Sequence, residues 1–474
     1  MKKTKVIATI GPASKDIEIL RNLILSGMDV ARINLRYADK EFCKDIVNKI
    51  NNLNKELKTS VAVLFDLEGP DITVGHFSGG SAYLNKGDKI RIYMDEILGD
   101  STKFSISYPN LINEIKVNSL IKINDGLIEL KIIDKEINYL LCEVIVGGFI
   151  EDGKGVNVPV HLNIPFLRQK DVEDIELANE LNIDYLVLSH VRSYEDVLSV
   201  NDMLINLGND HIAIISKIEN EHALEELDEI IKNSEGIIVA RGDLGVELPM
   251  ERVPKIQKMI INKCHIEGKI SIVATELLSS MENNVRPTRA EVSDIATAVL
   301  EGTDAVMLSG ETTIGTYPVE TLETMSKIME TTEQDQNYYE FLDTTMRSEK
   351  QDITGSVAYS AVECALRLKC KAIVTPTISG YTARKISRFR PSCPIIAITP
   401  DVNVVKNLSL YYGIYPVLEN DVNSFDKIMK TSKEKAKNTL KLEERDKIII
   451  TGGDRKSTRL NSSHSRASRM PSSA

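Results

Sequence analysis

Residues 236–243 read GIIVARGD: five apolar residues, the length of a buried strand, broken off at once by Arg241, Gly242 and Asp243. The same unit recurs on both sides. Upstream lie KVIATI (5–10), DVARIN (29–34), VAVLFD (61–66), DYLVLSH (184–190) and IAIISK (212–217); downstream lie ISIVAT (270–275) and DAVML (304–308). Between most of them run amphipathic stretches, at 16–26, 39–57, 171–181, 194–206, 221–233, 252–267 and 289–301, with another at 318–333 after the last strand. Eight β-then-α units is the arithmetic of a closed (β/α)8 barrel, an α/β fold of the TIM type.

The barrel pattern is interrupted once, over about 70–161. There apolar and polar residues alternate (KIRIYMD, SLIKIND, LIELKIID, YLLCEVIVG) between Gly-Asp and Asp-Gly turn signals, the pattern of a small antiparallel β domain. Because it leaves the C-terminal end of the third strand, it sits on the face where barrel active sites form and is placed to act as a lid. The expected division is therefore barrel 1–69, inserted β-barrel lid 70–161, barrel 162–335 and a C-terminal parallel α/β domain 336–454. A polar stretch from about 336 separates that last domain, with helices near 355–369, 382–390 and 424–440 and strands KAIVTP, PIIAIT and KIIIT. Residues 455–474 hold five basic residues, no acidic one and little apolar surface, and read as a disordered, non-native tail.

At 474 residues the chain needs more than one core, and 42% hydrophobic with 27% charged residues is ordinary globular composition. A net charge of −11 without a basic stripe argues against nucleic acid or an anionic membrane as partner. Six scattered cysteines with no CxxC pair argue against a disulfide framework or a zinc site, and no leader or long uncharged apolar run is present. The expected location is the cytoplasm.

Barrel chemistry sits at the C-terminal strand ends. Those positions are Arg32 and Asn34; Asp66 and Glu68; Ser189, His190 and Arg192; Lys217 and Glu219; Arg241 and Asp243; Thr275 and Glu276; Ser309 and Glu311. One charged strand end is ordinarily a solvated loop entrance, but seven polar ends converging on one mouth are costly unless a ligand or metal satisfies them. Glu219 and Asp243 are hard carboxylates suited to Mg²⁺ or Mn²⁺. Arg32, Lys217 and Arg241 add three cations, which fits a small, highly anionic substrate whose charge develops on a phosphoryl or enolate oxygen.

These residues lie in blocks that resemble the signatures of pyruvate kinases: IATIGPAS (7–14), KGVNVP (154–159), KIEN (217–220), IIVARGDLGVELP (237–249), RPTRAEVSD (286–294), DAVMLSGETTIGTYPVE (304–320) and TPTISGYTARKISRFRP (375–391). The resemblance covers about residues 3–453. It implies transfer of a phosphoryl group from phosphoenolpyruvate to ADP, giving pyruvate and ATP in glycolysis through a Mg-stabilised enolpyruvate, by a homotetramer. Carried over by position, Glu219 and Asp243 bind the divalent cation, Lys217 stabilises the phosphoryl group in flight, and Thr275 helps deliver a proton. The backbone of Arg241, Gly242 and Asp243 receives the substrate carboxylate, with Ser309 also against substrate. Arg32 contacts transferring phosphate and, with Lys154, the nucleotide; Asn34 and Asp66 belong to a monovalent cation site. Thr377, Ser379, Gly380 and Thr382 correspond to an effector-phosphate turn, for which an ordinary helix N-cap is the competing reading.

The pattern breaks around the monovalent site. Where the family usually reads Arg-x-Asn-Phe-Ser-His, this chain has Arg32-Ile33-Asn34-Leu35-Arg36-Tyr37, so a potassium-liganding serine is Arg36. Asp66-Leu67-Glu68-Gly69-Pro70-Asp71-Ile72-Thr73 likewise replaces a threonine, a lysine and an active-site arginine. One reading has the Arg36 guanidinium standing in for K⁺, with Glu68 as counter-charge; the other has relaxed selection on a weak second copy. His190 stands for phenylalanine, with packing the favoured role, and Glu276 for glutamine. The glycine-rich loop and last strand expected after Thr451-Gly452-Gly453 are missing, so the C-terminal domain reads as truncated, which argues against allosteric control. Two alternatives stand beside the enzyme: a weakened homologue that binds phosphoenolpyruvate or a sugar phosphate as a regulator, and a metal-dependent oxoacid aldolase on the same barrel.

Overall fold

The apolar runs close into a barrel because each strand is buried on both sides, and only closure with helices outside achieves that for a parallel sheet. In the computed structural model the eight strands are Lys5–Thr9, Val30–Asn34, Ala62–Asp66, Tyr185–Leu188, Ala213–Ile218, Gly236–Ala240, Ile270–Ala274 and Ala305–Leu308. Each pairs in parallel with its neighbours, and the first pairs with the eighth from Lys5↔Ala305 to Ala8↔Leu308. Residues 1–451 are described, apart from 125, 159–163, 210, 349–351, 420–424 and 444. The truncation and tail expected beyond Thr451 lie outside them.

Side chains alternate along each strand. Ile7, Leu64, Val187, Ile215, Ile238 and Ile272 fill the bore, while Val6, Ala8, Val63, Ile237 and Val239 pack outward under the helices. The filling of the bore does not stop at the barrel's N-terminal end. It continues into Leu342, Val362, Ile395, Leu410 and Tyr411 of the C-terminal region as one apolar cluster.

The insertion is a curled sheet of six strands, in the order Val156–Asn157, Leu120–Ile123, Ile128–Lys135, Tyr139–Val146, Lys89–Tyr93 and Lys103–Ser105, beside a ribbon of Ser81–Leu84 with Gly148–Glu151. Alternate residues of these strands meet in a core of their own. The lid touches the segment after the sixth barrel strand: Lys122 Nζ donates to the Val246 carbonyl, and Asn157 Nδ2 to Glu247 Oε1 at 3.3 Å.

The C-terminal sheet is parallel, in the order Ile414–Leu418, Ile395–Thr399, Ala372–Pro376 and Ile448–Ile450. Three elements here are unanticipated, one of them the short helix Val402–Asn407, capped by Asp401. Ile414–Leu418 contains Pro416, which a central strand would not tolerate; it lies at the sheet edge, where a missing N–H costs no ladder bond. The polar stretch read as a separator contains the helix Tyr338–Ser348, whose Leu342 is buried and whose Phe341 ring packs against Gly302 and His265. Burial of a few residues on one face makes it a wedge between barrel and C-terminal domain.

Carboxylates just before the four even-numbered barrel strands anchor that junction. Asp304 is held by Arg390 through two contacts of 2.8 Å, with both side chains 2% exposed, and accepts Ser271 N–H and Tyr412 N–H. Glu235 accepts from Arg384 at 3.0 Å and from the Tyr411 hydroxyl. Asp184 faces Lys406 at 3.4 Å and takes Val63 N–H. Asp29 faces Lys5, whose ammonium donates to the Ile414 carbonyl at 2.6 Å over the Tyr415 ring.

Stripping one partner from a buried ion pair costs about 3–5 kcal/mol. Arg390→Met is therefore expected to lower the thermal unfolding temperature by several degrees, and adding Asp304→Asn recovers part of the loss in the same scan. Burial, and after it the Arg390 guanidinium, hold His265 neutral, with its pKa down at about 3 from the ordinary 6.5. The unfolded chain takes up a proton there below about 6.5 and the folded chain does not, so His265 withdraws stability as pH falls through that window. Chemical denaturation between pH 6.5 and 3 should show His265→Gln losing less stability than the parent.

Candidate active site

At the C-terminal rim, polar contacts lace five consecutive strands. Thr9 Oγ1 accepts from Arg32 Nη1 at 2.8 Å; Arg32 Nε and Nη2 hold Asp66 Oδ2 at 2.7 and 2.6 Å. Asp66 Oδ1 accepts from Ser189 Oγ at 3.0 Å, and that same hydroxyl lies 3.2 Å from Lys217 Nζ. Lys217 Nζ reaches Glu219 Oε1 at 2.5 Å, and Glu219 Oε2 accepts His190 N–H at 2.5 Å. Lys217 and Glu219 meet because residues two apart on extended backbone face the same side. The anchors are buried: Arg32 is 6%, Asp66 1% and Glu219 2% exposed.

Burial works against the Lys217 charge, but Glu219, then Asp66 and Asp243, outweigh it and raise its pKa above the ordinary lysine value. Burial likewise pushes the Glu219 carboxyl up, and Lys217 followed by His190 more than reverses this, holding it below the usual range. The rim thus keeps the Lys217 ammonium and the Glu219 carboxylate ionised side by side out of water, where a fixed charge acts most strongly on a reacting group.

The sixth and seventh strands supply a second knot. Arg241, expected as one of three cations at the mouth, is paired: Nη1 grips both oxygens of Asp294 at 2.7 and 2.6 Å, and Nη2 and Nε donate to the Thr275 and Ala274 carbonyls. Its side chain is a strut, fixing the turn whose Gly242 N–H donates to Thr275 Oγ1 at 2.9 Å. Strand-end residues are also strained. His190, Thr275 and Glu276 have φ of 56°, 68° and 53°, and a β-branched threonine in that region persists only where surroundings over-determine it. Beside the eighth strand, buried Glu311 accepts from Ser309 N–H at 2.8 Å and Leu278 N–H at 3.1 Å.

Among the described residues no three His, Cys, Asp or Glu side chains stand close enough to cage a metal ion. That fits a magnesium-type centre, which takes one or two carboxylates and draws its other oxygens from substrate and water. Glu219 and Asp243 both act on the Lys217 charge, and they are the two carboxylates that could serve in that way.

Arg36 differs from expectation. Its Nη1 lies 2.7 Å from Asp71 Oδ2, with Glu68 a weaker neighbour at 3.8 Å, and its Nη2 is 3.5 Å from the Gly153 carbonyl of the lid. The would-be monovalent ligands are engaged within the chain: Asn34 Oδ1 accepts Arg36 N–H at 3.1 Å, and both Asp66 oxygens are bonded. Leu67, in place of threonine, is buried. Lys154 pairs with Glu151 at 3.2 Å on the lid, and Thr377 Oγ1 accepts Gly380 N–H at 3.0 Å, as a local turn does. The sequence reading gave no role to Thr9 or Asp294. Asp294 lies within a quoted signature block, but nothing in a helix sequence points to an arginine 53 residues upstream.

The pattern for "Pyruvate kinase, barrel domain" matches residues 1–322, and "Pyruvate kinase, alpha/beta domain" matches 355–464. The chain is 43% identical over 458 residues to a pyruvate kinase of Clostridium perfringens, covering 96% of each chain. It is 41% identical to one of Geobacillus stearothermophilus, over 95% of this chain and 78% of that one. A crystal structure of a pyruvate kinase from Cryptosporidium parvum superposes with a TM-score of 0.90 at 34% identity, covering 95% of this chain and 94% of that one. The chain belongs to the pyruvate kinase family.

Proposed function

We propose that the chain is an active pyruvate kinase, transferring the phosphoryl group of phosphoenolpyruvate to ADP to give pyruvate and ATP. The observation that carries this reading is the unbroken chain of contacts Thr9, Arg32, Asp66, Ser189, Lys217, Glu219. It survives the departures at Arg36, Glu68 and Thr73, which is not what a decayed homologue leads one to expect.

The division of labour follows from geometry. Lys217, kept charged by three carboxylates, offers a fixed cation to the phosphoryl group between donor and acceptor, and Arg32, clamped by Asp66 and Thr9, orients its oxygens. The amides of Gly242 and Asp243 receive the substrate carboxylate. The Thr275 hydroxyl accepts Gly242 N–H and donates its own proton to the Ala274 carbonyl at 2.7 Å, so serving proton delivery to the enolate carbon requires it to turn away from that carbonyl. Glu219 and Asp243 would hold a divalent cation, which would supply Lewis-acid charge against the substrate oxygens.

Lys217→Met is expected to cut turnover on the order of 10²–10³-fold or more, while circular dichroism shows the fold retained. A lactate-dehydrogenase-coupled assay with ADP, Mg²⁺ and phosphoenolpyruvate reads this directly; parental turnover in the mutant removes Lys217 from the mechanism.

We further propose that the enzyme needs no monovalent cation, since the ligands of that site are bonded to Arg32, Ser189 and the backbone of Arg36, and Arg36 brings a permanent charge nearby. Replacing K⁺ by Na⁺ or tetramethylammonium should leave the coupled rate largely intact. A strong fall on that exchange refutes the proposal.

A further inference from the structure

Glu68 is the meeting point of three cations. Arg168 Nη2 lies 3.2 Å and Lys170 Nζ 3.3 Å from its Oε2, and Arg36 Nε lies 3.8 Å from its Oε1. Each cation also has a second anchor independent of Glu68. Arg36 binds Asp71 at 2.7 Å, Lys170 binds the Leu35 carbonyl at 2.8 Å, and Arg168 Nε binds Asp171 at 3.2 Å. Asp171 is itself fixed, since it accepts Gly69 N–H and caps its helix. The three cations therefore stay assembled whether or not Glu68 lies between them.

For Arg36 and Lys170, Glu68 is the longer of the two contacts. Arg168 Nη2 is buried and, though close to Glu68, makes no hydrogen bond. A buried guanidinium nitrogen without a hydrogen bond marks a seat that its present occupant fills badly.

The seat adjoins the reacting groups. Glu68 follows Asp66 by two residues, and the turn after it is pressed against the end of the fourth strand: a Cβ on Gly69, at φ +72°, would lie 2.6 Å from the Ser189 carbonyl. On its outer side Arg36 reaches the lid at Gly153. An anion here would lie against the turn that follows the third strand, within reach of the lid through Arg36.

We infer that Glu68 is an intrachain stand-in for phosphate: Arg36, Arg168 and Lys170 form a seat for the phosphates of the nucleoside diphosphate, which enter only by displacing the Glu68 carboxylate. This rests on the phosphoryl-transfer reading above and adds to it a competitor built into the chain. A ligand that must displace such a competitor binds more weakly by the fraction of time the seat is free. Glu68 thus sets the affinity for the nucleotide and leaves that for phosphoenolpyruvate alone.

The test compares the full chain with Glu68→Gln and Arg168→Gln. Removing the competing charge should lower the KM for ADP in E68Q on the order of tenfold, the worth of one charged hydrogen bond, with the KM for phosphoenolpyruvate unmoved. R168Q should raise the KM for ADP. Inorganic pyrophosphate, titrated by calorimetry without turnover, should bind E68Q more tightly and R168Q more weakly than the parent. A KM for ADP that stays or rises in E68Q, or a KM for phosphoenolpyruvate that moves in step with it, overturns the inference. Should the parent fail to transfer phosphate to ADP, that reading falls by itself, and the titration alone judges the seat: equal pyrophosphate affinity in parent and E68Q rejects it. Should E68Q not fold, unchanged pyrophosphate affinity in R168Q rejects it.

Discussion

The structure depends on carboxylates at the N-terminal end of the barrel, two of them buried and two half-buried. Asp29, Asp184, Glu235 and Asp304 stand before the second, fourth, sixth and eighth strands, where backbone N–H groups and cations converge on them. A buried carboxylate is tolerable only when fully paired, and here the C-terminal domain or the lysines it receives complete the pairing. The end far from the chemistry is thereby fixed, and the opposite end can present ionised groups without threatening the fold.

At that opposite end the same physics is used differently. Lys217 and Glu219 neutralise one another at the C-terminal strand ends, with Lys217 the more exposed of the two. The strained backbone at His190, Thr275 and Glu276 is held by neighbours, notably the Arg241 strut to Asp294. Preorganisation of this kind lets charge stabilisation act without reorganisation at the moment of reaction.

Much of this was legible in the sequence, for reasons tied to particular residues. Barrel strands announce themselves because a strand buried on both faces must be an uninterrupted apolar run, and Lys217, Glu219 and Arg32 follow from the rule that chemistry sits at strand ends. What stayed hidden was pairing. The partner of Arg241, Asp294, lies on a helix after the next strand, and the partner of Arg36 is Asp71, three residues beyond the Glu68 that the sequence suggests. The edge strand at Ile414–Leu418 was masked by Pro416, and the helix Tyr338–Ser348 by polar composition that only one buried face redeems. Local pattern reveals elements; it does not reveal which long side chain turns toward which neighbour.

The apolar filling of the bore, continuous from Ile238 and Ile272 into Leu410 and Tyr411, ties the two large domains into one thermodynamic unit. A barrel cut free after its last helix would be a vessel without a floor, its lining opened to water. Domain exchange between relatives at this seam therefore has to carry the floor and the layer above it together, and neither half can drift in evolution without the other following.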